Sequence, residues 1–313
     1  MPSAVSPETT PLPKWQRPAK TTHDLPWADI KVIDIGKFDE PGGKKQLAEE
    51  LRQAFHDKKM QGTEVLNNVE SVNIAKFIPK YANEPFHPFF EPYRKEIEDF
   101  SRRSLEIASK VFTLFSIILE LPEDYFSSRH AYEDPSEDHL RYMGYHPRSL
   151  ADDLKVANTW SRAHTDFGSL TLLWSQDVAG LQIKTSSGEW KYVPPVDNGI
   201  VCNVGDTLDF WSAGYLKSTT HRVVRPPEDQ AHLFRQGLFY FVRPGDDVDI
   251  KPAPSPLLKR LGLVKEDAEN AEPVTGLQYV RERVKNYHHH NDYADMKGKK
   301  FKVGNLEIED EAD

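Results

Sequence analysis

The chain has 313 residues and a mass of 35.9 kDa, enough for one sizeable buried core. A formal net charge of −9 and a pI near 5.8 argue against the basic face that nucleic-acid binding needs, while 38% hydrophobic and 28% charged residues suit a water-soluble globular protein. A single cysteine, Cys202, excludes an internal disulfide framework and points to a reducing compartment.

Taken in chain order, residues 1–27 are rich in Pro, Thr and Ser and read as a disordered or draped arm. They lack the apolar stretch of a secretory signal, so a cytoplasmic location is expected. Residues 31–35 suggest a short strand, and residues 44–58 a helix with Leu47, Leu51 and Phe55 on one face. Residues 59–87 show no clear period. From Pro88 a long helix is expected, because Ile97, Phe100, Ser104, Ala108, Val111, Phe115 and Ile118 recur at three- and four-residue steps. Pro122 ends it and suits the first turn of a short helix through Phe126. The most apolar stretch, residues 111–121, is too short to span a bilayer, and no membrane partner is expected.

From Leu140 the texture changes to short β-branched and aromatic runs separated by Gly, Pro, Asn and Asp. These are residues 170–174, 180–183, 190–193, 199–204, 219–224 and 237–242, a spacing that predicts a sandwich or barrel. Cys202, inside one of these apolar runs, is expected to be buried. Residues 276–287 predict a helix and residues 296–313 a charged tail. The resulting division is an arm over 1–27, a helical region over 28–139, a β core over 140–250, and a C-terminal helix and tail over 251–313.

The chemistry lies in the β region. His164 and Asp166 stand two apart on an extended segment, so both side chains point to one side and can reach one ion. His221, in a later strand, supplies a second imidazole. Two histidines and a carboxylate on neighbouring strands match the facial ligand set of non-haem Fe(II) oxygenases. Zinc with the same ligands is the competing reading, although the helical His-Glu-x-x-His pattern of many zinc hydrolases is absent. A second His-x-Asp, His290-Asn291-Asp292, lies in a polar region and is read as chance. Arg235, opening the last core strand, could hold a carboxylate in a bidentate pair, the alternative being a surface arginine paired with Asp229. Leu181 and Phe239 could line a pocket, although core packing is the stronger reading. Arg141 and Arg162 flank the same region and could touch an acidic substrate.

The order and combination of His164-Thr-Asp-Phe-Gly-Ser-Leu-Thr-Leu-Leu173, Val178-Ala-Gly-Leu-Gln182, Asn203-Val-Gly-Asp206, Ser218-Thr-Thr-His-Arg-Val-Val224 and Arg235 resembles the 2-oxoglutarate/Fe(II)-dependent dioxygenase superfamily, in its isopenicillin N synthase-like branch. The texture is closest to fungal members. The resemblance implies a mainly β fold with flanking helices: a double-stranded β-helix core of the jelly-roll or cupin-like kind. It implies Fe(II) on His164, Asp166 and His221, with no catalytic residue beyond the metal centre. 2-Oxoglutarate would chelate the iron, its far carboxylate held by Arg235 with help from Tyr145, for which a core aromatic is the equal alternative. With O2 it would yield succinate and CO2 while a small molecule is hydroxylated, desaturated or rearranged, plausible work for fungal secondary metabolism. Oligomeric state is not implied.

Two departures qualify the resemblance. The usual Arg-x-Ser at the cosubstrate anchor reads Arg235-Gln236-Gly237, so one hydroxyl donor is missing, worth roughly 1.5–3 kcal/mol when the acceptor is charged. A water in the space beside Gly237 could replace it. After residue 58 relatives continue into a Gly-Phe-Phe strand, an Asn-His-Gly turn and a helix, whereas this chain passes directly to residues 60–64. Lacking a strand, the chain should expose a sheet edge and a more open pocket. A catalytically impaired member acting as a binding protein is the alternative function.

Overall fold

A computed structural model describes residues 18–27, 65–264, 273–289, 300–303 and 306–309. The strand over 31–35, the helix over 44–58, the 60–64 junction and the second His-x-Asp at 290–292 lie outside the described residues.

Among the described residues the first element is β1 (Val69–Ala75), followed by the long helix α1 (Arg94–Ile118), β2 (His139–Tyr145) and the short α2 (Leu150–Lys155). The core strands then run β3 (Thr159–His164), β4 (Leu170–Trp174), β5 (Leu181–Lys184), β6 (Trp190–Tyr192) and β7 (Ile200–Val204). After α3 (Asp206–Trp211) come β8 (His221–Val224) and β9 (Arg235–Val242). Beyond them lie β10 (Asp249–Ile250), α4 (Pro256–Arg260), β11 (Val274–Thr275) and α5 (Gly276–His289). A two-stranded pair, β12 (Lys300–Val303) and β13 (Leu306–Glu309), stands where the sequence suggested only a charged tail.

Strand order is β1-β2-β9-β4-β7 in a five-stranded sheet and β3-β8-β5-β6 in a four-stranded one, with antiparallel pairing throughout. The two sheets face one another across a cavity of about 680 Å³, which gives the double-stranded β-helix expected from the sequence.

Strand alternation sorts the side chains of the larger sheet. Leu140, Leu172, Tyr240 and Val242 point away from the cavity and are fully buried against α1, which contributes Ile97, Leu105, Ala108 and Phe112. Three buried serines on that helix face donate to carbonyls one turn back, Ser101 to Ile97 at 2.9 Å, Ser104 to Phe100 at 2.6 Å and Ser116 to Phe112 at 3.0 Å, so none leaves a hydroxyl orphaned in the core. Intervening residues Met143, Tyr145, Thr171, Leu173, Arg235, Phe239 and Phe241 face inward and line the cavity.

Several local expectations need correction. Residues 122–126 form turns instead of a helix, followed by a single 3-10 turn at Ser127–Arg129. Cys202 is exposed, on a strand that lies at the edge of its sheet among the described residues. The aperiodic segment 59–87 contains β1. Of the two readings of the N-terminal arm, the draped one describes residues 18–27, which dock on the barrel. There, Asp229 accepts from the Thr21 hydroxyl (2.8 Å) and the Thr22 amide (2.6 Å), while Gln230 donates to the Ala19 carbonyl (2.7 Å). Among the described residues, no helix is long and apolar enough to cross a membrane.

Candidate metal centre and its cavity

His164 ends β3 and His221 begins β8, and the antiparallel register places them directly opposite each other with ring centroids 4.4 Å apart. Each Nδ1 lies close to a backbone carbonyl two residues earlier, Arg162 O at 2.8 Å and Thr219 O at 3.0 Å. That places the proton on Nδ1 and turns both Nε2 lone pairs to a common side, the usual way a ligating imidazole is oriented. Burial, then the neighbouring His221, pulls the pKa of His164 down to about 4, so its ring is neutral near pH 7.

Asp166 follows β3 by two residues and sends Oδ1 between the two rings, 3.9 Å from His164 Nε2 and 3.8 Å from His221 Nε2. Its other oxygen, Oδ2, accepts from the Thr171 hydroxyl at 2.7 Å and the Asn203 amide at 2.6 Å. Burial alone would raise the pKa of this carboxyl, but the two imidazoles and the two hydrogen bonds bring it below the ordinary value. One ligand atom from each of the three residues falls within 4.8 Å of the others. Two imidazoles presenting Nε2 and one fixed carboxylate, open on the cavity side, are a donor set suited to a divalent first-row metal.

Tight backbone contacts hold Asp166 in place. Gly205, from the Asn203-Val-Gly-Asp206 turn, donates to Ser169 O (3.0 Å), and the Asp206 amide donates to Asp166 O (2.8 Å). A Cβ on Gly205 would fall 2.2 Å from Gly168 O and 2.9 Å from Asp166 O, so glycine alone fits. Asp206 in turn accepts from the Tyr279 hydroxyl (3.0 Å) and pairs with Arg283 (3.2 Å), tying α5 to the metal loop.

Arg235 faces the same cavity and is 2% exposed. Its Nε donates to Val178 O at 3.3 Å, and its guanidinium hydrogen-bonds Tyr145 and lies 5.2 Å from the centre of that ring. Nη1 is buried without a hydrogen-bond partner among the described residues, as an anion anchor requires. Asp229 is engaged elsewhere, so the surface-pair alternative does not hold.

Gly237 departs from expectation. The space beside it is filled by the Phe239 ring, whose edge would lie 2.4 Å from a Cβ at that position, with the Gln176 amide at 3.0 Å. No room is left there for a substituting water. Phe239 and Leu181, read as core side chains, line the cavity. Arg141 lines it as well, whereas Arg162 contributes its carbonyl to His164. Sequence reasoning gave no role to Thr171, Asn203 or Arg243. Thr171 and Asn203 carried a signal through the motifs that contain them, and Arg243 carried none.

A two-sheet antiparallel barrel carrying two histidines and an aspartate at one end defines a metal-dependent oxygenase scaffold. The 2OG-Fe(II) oxygenase superfamily profile matches residues 137–255. A 1-aminocyclopropane-1-carboxylate oxidase from Diospyros kaki is 30% identical over 73% of this chain and 68% of its own length. Another, from Malus domestica, is 32% identical over 70% of this chain. Among solved structures, a full-length Neurospora crassa protein in complex with alpha-KG and 5-formyluracil superposes with a TM-score of 0.59 at 25% identity, covering 70% of this chain and 69% of the Neurospora one. The chain therefore belongs to the 2OG-Fe(II) oxygenase superfamily. It spans less than two thirds of the length of several curated relatives, 61% for the Malus protein.

Proposed function

We propose that the chain is an Fe(II)- and 2-oxoglutarate-dependent oxygenase that oxidises a small organic molecule and releases succinate and CO2. The observation that carries this reading is the meeting of His164, Asp166 and His221, each with a ligand atom turned to one point beside the cavity. When bound, iron with 2-oxoglutarate and O2 supplies the oxidising power. The protein's own residues supply position and dryness. His164 and His221 would offer their Nε2 atoms to the metal, and Thr171 and Asn203 keep Asp166 Oδ2 occupied so that Oδ1 is the oxygen left to ligate. Arg235, steadied by Val178 O and Tyr145, pairs with the far carboxylate of 2-oxoglutarate. Leu181, Val223, Phe239 and Phe241 exclude water around the reacting centre. A substrate within fungal secondary metabolism and a cytoplasmic location belong to the same proposal. Metabolite profiling of a strain lacking the protein, and fractionation of its cells, test them.

Anaerobic addition of Fe(II) and 2-oxoglutarate should produce the weak visible charge-transfer band of the chelate, and His221→Ala should abolish it. A folded protein without the band would overturn the proposal. One observation favours a second reading, a binding protein of impaired activity: at Gly237 the Phe239 ring occupies the position of the usual hydroxyl donor. That reading requires no succinate release across a substrate panel and undiminished ligand binding in His221→Ala.

A further inference from the structure

Strand β9 and the residue after it place Arg235, Gly237, Phe239, Phe241 and Arg243 on one face, with an arginine at each end. Arg235 is the cosubstrate anchor of the proposed function. Arg243 has no part in that reading, yet it also lines the cavity.

Its backbone is pinned by a 2.5 Å hydrogen bond from its amide to Asp138 Oδ1, and its Cγ lies 3.2 Å from where a Gly168 Cβ would be. The start of the side chain is thus held beside the loop that carries Asp166. Its Nε is buried and has no hydrogen-bond partner among the described residues. A buried guanidinium donor left unmatched is costly, and it marks a position where a planar anion would complete the pairing.

Arg141 stands nearby on β2, in register with Phe239, with its guanidinium 4.7 Å from the centre of the Phe241 ring and its Nε donating to Asn73 Oδ1 at 2.7 Å. Burial lowers the pKa of Arg243, opposed by Glu137, Asp138 and Asp166, and the nearby Arg141 lowers it further. His139, stacked on Phe241 at 4.9 Å, is held neutral by burial and by both arginines and adds no charge.

The cavity's charges point the same way. Its lining acids are Asp166, committed to the metal, and Glu70, whose Oε1 lies 2.6 Å from His146 Nε2. A divalent metal, Asp166, Arg235 and a dianionic cosubstrate together come to zero. Arg141 and Arg243 add two positive charges to the cavity wall, where Glu70 is the one further lining acid among the described residues; Glu137 and Asp138 also act on Arg243.

Resting on the oxygenase reading, we infer that the substrate is a small carboxylic acid whose carboxylate pairs with Arg243, assisted by Arg141, and whose apolar part lies against Phe239 and Phe241. A guanidinium suits a carboxylate because its planar donors match both oxygens, and the stacked phenyl rings, 5.7 Å apart, suit a hydrocarbon body.

The test is equilibrium dialysis under nitrogen on protein loaded with Fe(II) and excess 2-oxoglutarate. The probes are phenyl- and alkyl-substituted carboxylic acids with their matching primary amides. At least one acid should bind about ten-fold more tightly than its amide. Arg243→Met should erase that preference and Arg243→Lys should retain part of it. The chelate band and melting temperature of both variants should stay at the unmodified values, which separates loss of this contact from damage to the metal centre or fold. Equal or undetectable retention of every acid and amide pair overturns the inference, and so does a preference that survives in Arg243→Met. Should the unmodified protein form no chelate band, the oxygenase reading fails first. The acid-over-amide preference and its dependence on Arg243 are then measured on the metal-free protein.

Discussion

At Asp166 the two carboxylate oxygens have separate tasks. Oδ1 faces the imidazoles, and Oδ2 is occupied by Thr171 and Asn203. Removing one of these supports should let the carboxylate rotate. Asn203→Ala is therefore expected to weaken metal binding by about 10–100-fold, measured by competition with a chromogenic chelator. Unchanged affinity would mean that Thr171 alone fixes the carboxylate. Gly237 invites a second substitution. Gly237→Ser would restore the family's hydroxyl, but its Cβ would meet the Phe239 ring at 2.4 Å. The single variant should bind 2-oxoglutarate no better and melt earlier. Gly237→Ser with Phe239→Ala removes the clash and should tighten cosubstrate binding by about 1.5–3 kcal/mol, read by calorimetry. Equal affinity of single and double variants would count against a steric role for Phe239. The three metal ligands and Arg235 were legible in the sequence because their spacing and motif are local. Arg243 was not, since its meaning depends on which groups the strand register leaves without partners.

Among the elements, the strands written as unbroken apolar or aromatic runs were legible to within two residues: β4 matches residue for residue, and β5 to β8 differ only at their ends. β1 and β2 were not named, because Asn73, Arg141 and His139 interrupt their apolar pattern. Arg141 lines the cavity, Asn73 accepts from that arginine and His139 stacks on Phe241, so the polar residues that hid the strands are tied to the cavity wall. The turn after β7 is similar: Asn203-Val-Gly-Asp206 reads as a motif, while its physical reason lies across the chain at residues 166–169. Gly205→Ala should push a methyl group against Gly168 O and Asp166 O, displacing the loop that carries a metal ligand. The expected outcome is a loss of about 1–3 kcal/mol in stability together with weakened metal binding. Chemical denaturation and chelator competition on one preparation would check both. A variant that loses stability but keeps full metal affinity would show that Gly205 serves the fold alone.

The whole molecule is acidic, at −9, yet it encloses a cavity lined by three arginines, and burial holds His164, His130 and His139 neutral. This interior sets its response to acid. Burial pulls His130 down to about 3; the ring stacks on Phe112 at 4.2 Å, with Nε2 2.7 Å from the Ser169 hydroxyl. Its folded-state pKa lies below the unfolded value of about 6.5. Between those two values the unfolded chain binds a proton that the folded chain refuses, so stability falls as pH falls, by up to about 1.4 kcal/mol per pH unit for this one group. Asp138 has the opposite sign. Burial raises it to about 6, so between that value and about 4 the folded state takes up the extra proton and the loss is partly offset. Urea unfolding of the metal-free protein from pH 6.5 to 4 isolates the histidine. Every other group titrates alike in His130→Gln and the unmodified chain, so the difference between their slopes belongs to residue 130. The variant should be less stable at pH 7 but lose stability on acidification more slowly, by roughly one proton's worth of slope. Parallel slopes would mean that the imidazole keeps an ordinary pKa in the folded protein and that the core around Phe112 and Ser169 admits water.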